Sequence, residues 1–68
     1  MKRYFIHRYQ SVTWTLVSDE KSDRWHVEKL GPQKDCVRIA LHDFRKSDSG
    51  RQLRDQLSTA MREARYVA

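Results

Sequence analysis

Cysteine is nearly absent from this 68-residue chain: Cys36 is the only one. A lone cysteine excludes an intramolecular disulfide and a cysteine-based zinc cluster, and it fits a reducing, cytoplasmic setting. A catalytic thiol needs a base and an orienting group beside it, whereas Cys36 reads as a small, half-buried strand residue. Long apolar runs are missing as well. The N-terminal "MKRYFIHRYQ" is basic but lacks the apolar core of a signal peptide. No segment approaches the ~20 apolar residues of a membrane span, so no membrane role is expected. "DSGRQ" holds one of only two glycines and has no phosphate-loop spacing. Acidic residues are the minority charge, nine against 14 Lys and Arg, for a formal net charge of +5. Such a balance favours polyanionic partners, DNA or RNA first.

What is present suits one small domain, residues 1–68. Hydrophobic content of 38% is lean, yet two Trp, three Tyr and two Phe argue against a disordered chain. A domain of this size is marginal by surface-to-volume scaling, and a homodimer is one way such a chain gains stability. The chain carries no internal repeat, low-complexity tract or interdomain linker.

Strand-like runs cover Lys2 to Tyr9, Val12 to Ser18, Arg24 to Leu30 and Cys36 to Phe44. The last three alternate apolar and polar residues, and "SDEKSD" and "GPQ" punctuate them. From about Gly50 to Arg65 the period changes. Leu53, Leu57, Ala60, Met61 and Ala64 form one helical stripe, with Ser49 as N-cap and Gln52 completing a capping box. Asp48 near its start and Arg62 and Arg65 near its end suit the helix dipole. The expected fold is therefore α+β: a four-stranded antiparallel β-meander followed by one C-terminal amphipathic helix packed on one sheet face. That helix should cover Trp14, Leu16, Trp25, Val27, Val37 and Ile39.

Pairing by parity predicts Leu16 opposite Trp25, Thr15 opposite His26, Val27 opposite Val37 and His26 opposite Arg38. In the first hairpin, a two-residue Gln10–Ser11 turn would turn Phe5, His7 and Tyr9 inward, but it lacks the Gly or Asn such turns favour. A three-residue loop buries Tyr4 and Ile6 and exposes Phe5 and His7, sparing an imidazole from burial. The second register gives an open face with three rows: Phe5, Thr15, His26 and Arg38; Arg3, Val17, Arg24 and Ala40; His7, Thr13, Glu28 and Cys36.

The open face defines the candidate site. Arg3, Arg24 and Arg38 supply positive charge, Thr13, Thr15 and His26 supply polar contacts, and Phe5 offers a stacking surface. A plain solvated sheet face has a similar composition. No metal site is expected: His7 and His26 would lie roughly 10 Å apart, too far to share a zinc. His42 and Asp43, adjacent on a strand, would point to opposite faces and form no dyad. The carboxylates of Asp19, Glu20, Asp23 and Asp35 are scattered over loops without a pair. Lys34, Arg45 and Lys46 sit in short loops that could flank the site. Arg51, Arg54, Arg62 and Arg65 on the helix, interleaved with Asp55 and Glu63, read as a solvated surface, with Arg51–Asp55 as an i,i+4 pair. No catalytic group and no cofactor is expected. The leading expectation is a small non-enzymatic nucleic-acid-binding or regulatory protein. The rival is a protein-binding inhibitor or adaptor using the same face or an edge strand.

Overall fold

The computed structural model describes residues 1–19, 21, 24–33 and 35–67. Glu20, Asp23 and Lys34, singled out above, lie outside the described residues. Strands β1 (Lys2–Tyr9), β2 (Val12–Asp19), β3 (Arg24–Leu30) and β4 (Cys36–Ala40) form an antiparallel sheet in the order β1-β2-β3-β4. The α+β class and the meander follow from the sequence pattern, but a single C-terminal helix does not form. Three helical segments stand in its place: α1 (Leu41–Lys46), α2 (Asp48–Gln52) and α3 (Arg54–Val67).

The fourth strand ends at Ala40, four residues earlier than the alternation suggested. There the chain turns into α1, which places Leu41 and Phe44 three residues apart on one helical face. Phe44 is fully buried, with its ring 5.4 Å from that of Trp14. His42 and Asp43 therefore sit on a helix, not a strand, and both are exposed. The helix cap also moves. Ser47, not Ser49, is the N-cap of α2, and its hydroxyl oxygen accepts from the Gly50 N–H at 3.1 Å. The same hydroxyl donates to the Phe44 carbonyl at 2.6 Å and so ties α2 to α1. Gly50 is buried in this corner, where a Cβ would collide with the Phe44 carbonyl. Leu53 leaves helical geometry (φ −101°, ψ 20°) and separates α2 from α3.

All three helices lie on one side of the sheet, α3 mainly against β1 and α1 against β3 and β4. Ile6, Leu16, Val27, Phe44, Leu57 and Ala60 form the core between the layers. Trp14, Trp25 and Ile39 pack against it half-buried, as the stripe predicted, whereas Val37 is half exposed at the β4 edge.

Two hairpins pair two residues away from the expected register. Leu16 faces Val27 rather than Trp25, and Val27 faces Ile39 rather than Val37. The last connection is wider than assumed, closed by a Gly31 N–H to Asp35 carbonyl bond of 2.9 Å. An even shift preserves side-chain parity, so the faces survive while the rows change. The first hairpin realises both registers at once. Tyr9 pairs with Val12 and His7 with Trp14, as a two-residue turn requires; a bulge at Ile6 then returns Phe5 to Thr15 and Tyr4 to Leu16. The turn forms without glycine because Gln10 itself adopts φ 54°.

Candidate nucleic-acid interface

All seven candidate residues lie on the sheet face away from the helices, in rows set by the observed pairing. One row is Phe5, Thr15, Glu28 and Arg38; the next is Arg3, Val17, His26 and Ala40. Arg8, Thr13, Leu30 and Cys36 make a third, and Arg24 stands at the end opposite Asp19. His26 and Arg38, expected to face each other, are in neighbouring rows. His7 leaves this face altogether: the bulge turns it to the helix side, half-buried beside Trp14.

Glu28 takes the centre, a residue the sequence reading had set in an outer row without a role. Its side chain is only 12% exposed. The Arg3 guanidinium reaches its Oε1 at 3.4 Å, His26 Nε2 lies 3.6 Å from the same oxygen, and the Cys36 thiol donates to Oε2 at 3.3 Å. Burial would push the Glu28 carboxyl up. The Cys36 bond and the charges of Arg3, Arg38 and His26 outweigh it and hold the carboxyl below its ordinary value. The hydrogen bond to Glu28, with burial and the carboxylate charge, pushes the Cys36 thiol up. A thiol held protonated is the opposite of an activated nucleophile. It is also exposed, not half-buried as its strand position suggested. His26 Nε2 is buried without a hydrogen-bond partner, since 3.6 Å is too long for one.

The face is thus mixed rather than uniformly positive. Val17 is fully buried within it, flanked across the ladders by Arg3 and His26. Around this spot Arg3, Arg24 and Arg38 are exposed, and Phe5 stands 61% exposed in line with Thr15. Chemically, the arrangement offers exposed guanidinium groups on the same face as an aromatic platform, with one carboxylate anchoring Arg3. Among the described residues, no three His, Cys, Asp or Glu side chains are grouped to hold a metal ion. None of the described helices is long and apolar enough to cross a membrane.

Comparison with protein-family models, curated proteins and solved structures finds no match to this chain.

Proposed function

We propose that this chain is a small, basic, non-enzymatic nucleic-acid-binding protein, regulatory by occupancy, whose open sheet face takes a single-stranded segment. The carrying observation is Phe5, 61% exposed on a face where Arg3 lies two residues along the same strand and Arg38 stands at the far end of the same row, three strands away. An aromatic on a flat sheet stacks on an unpaired base, and flanking arginines hold the phosphates on either side. Thr13 and Thr15 add hydroxyls, and His26 Nε2, which has no hydrogen-bond partner, is a further polar group on this face. A cytoplasmic setting suits a free, exposed Cys36.

A second reading has its own support. A half-buried carboxylate at the centre of the face, Glu28, lowers its appeal to a polyanion and suits a protein partner with a complementary charge. Anisotropy titration of a labelled 20-nucleotide single strand decides between them. Phe5→Ala should weaken binding about 5- to 150-fold, the loss of one stacked base. No binding at low salt by the unaltered protein would remove the nucleic-acid reading and leave the protein partner.

A further inference from the structure

The helical layer carries its own concentration of positive charge. Two adjoining grooves run along the seam between α1–α2 and α3. Arg45, Ser58, Met61, Arg62 and Arg65 line one; Arg45, Arg51 and Arg54 are the charged residues lining the other. No carboxylate lines either groove among the described residues. The sorting is written in α3. At ~100° per residue, Arg54, Ser58, Met61, Arg62 and Arg65 share one stripe beside the apolar one, with Asp55 at its edge beside Arg62 and Glu63 on the far side. Arg45 is fixed across the seam, its Nη2 donating to the Met61 sulfur at 3.0 Å. The Arg51–Asp55 pair that would make this a self-neutralised surface does not form. Leu53 breaks the helix between them, and no ion pair joins the two. All five arginines are exposed, and none of them has a carboxylate within salt-bridge distance among the described residues.

We infer that this arginine-lined seam holds the sugar–phosphate backbone of a single-stranded nucleic acid, independently of base identity. Like charges gathered without counter-charges repel one another, and a polyanion relieves that repulsion. From Arg54 to Arg65 the stripe is about 16 Å long at 1.5 Å per residue. That length matches several consecutive phosphates of one strand. A groove between helices admits a single backbone strand more readily than a duplex. The site lies in the layer opposite Phe5. The inference shares the ligand of the proposed function but not its surface.

The test measures binding of the labelled 20-nucleotide strand over a salt series. Arg54→Gln/Arg62→Gln/Arg65→Gln should flatten the slope of log K against log[salt] by about 2, at ~0.7 per phosphate contact on a single strand. Arg62→Gln alone should flatten it by about 0.7 and covers the case of a triple variant that fails to fold. Lys2→Gln/Lys21→Gln/Lys29→Gln removes the same charge from exposed positions outside both the seam and the sheet-face site. An equal change of slope in that control makes the effect one of net charge and overturns the inference. Binding to phosphatidylserine vesicles but not to the oligonucleotide also overturns it, as does an unchanged slope in the seam variants. A flattened slope in the seam variants with no effect of Phe5→Ala leaves the seam standing and removes the stacking surface; the reverse pattern does the opposite.

Discussion

The Arg3 guanidinium lies 3.4 Å from Glu28 Oε1 although β2 separates their strands. The bridge crosses β2 diagonally from the row of Val17 to the row of Thr15, and Val17 is fully buried although it lies on the face away from the helices. Glu28 therefore organises this surface by gathering Arg3, His26 and the Cys36 thiol around one carboxylate.

That role has a pH signature. The folded Glu28 carboxyl is held below its ordinary value, so its contacts contribute fully above the ordinary carboxylate range. As pH falls, the unfolded chain takes up the proton first, and the contribution fades through the folded value. Glu28→Gln should lower stability at neutral pH by about 0.2–1 kcal/mol, the scale of a partly exposed ion pair. The gap between the two proteins should close as the pH falls through and below the ordinary carboxylate range. Urea midpoints measured across that range check it; a gap that widens on acidification contradicts the assignment.

The first turn carries backbone strain that one substitution relieves. Gln10 sits at φ 54° while Ser11 does not share the positive angle, the pattern of a turn that prefers glycine at its first central position. A left-handed conformation costs a side-chain-bearing residue about 1–2 kcal/mol, and the extra freedom of glycine in the unfolded chain returns part of that. Gln10→Gly should raise stability by roughly 0.5–1 kcal/mol, read as a higher urea midpoint at unchanged slope.

The corner around Phe44 is the least tolerant point in the helical layer. Gly50→Ala sets a Cβ against the Phe44 carbonyl, a backbone atom held by the Ser47 hydroxyl, and should cost about 3 kcal/mol or more. At Gly31 the added carbon would meet only the Asp35 side chain, which can swing away, so Gly31→Ala should be far milder. In the same corner, Ser47→Ala should cost about 1 kcal/mol and Ser49→Ala close to nothing, because Ser47 holds the cap. Thermal melts of the four variants separate these outcomes.

The faces of the sheet were legible in the sequence because parity tolerates even errors. Shifting β2 against β3 by two residues left Leu16, Trp25 and Val27 inside and Thr15, His26 and Arg38 outside. The neighbours on a face were not legible, since they depend on loop closure and on the bulge at Ile6, which no local pattern announces. This is why Glu28 went unnoticed as the centre of the site. The start of α1 was hidden for a similar reason: Leu41 continues the strand alternation of Ile39, and only the spacing to Phe44 hints at a helix. The arginines of α3 were visible, but the separation of Arg51 from Asp55 depends on the break at Leu53.

The open face makes opposite demands on its charges if a nucleic acid occupies it. Arg24→Gln/Arg38→Gln should weaken oligonucleotide binding, and Glu28→Gln should strengthen it, each by about fivefold per charge at low salt, the scale of ~1 kcal/mol for unit charges near contact in water. Glutamine is the informative replacement at Arg38. Its guanidinium is one of the charges that hold the Glu28 proton off, and a glutamate there would perturb the carboxylate as well as the ligand. Both variants should fold, because Arg24 and Arg38 are exposed and such substitutions usually change stability by no more than about 0.5 kcal/mol. The sign of the Glu28→Gln effect is the sharper half. A protein partner that pairs a cation with this carboxylate would lose affinity on the substitution that a polyanion would welcome, and titration of the oligonucleotide against both variants reads the difference directly.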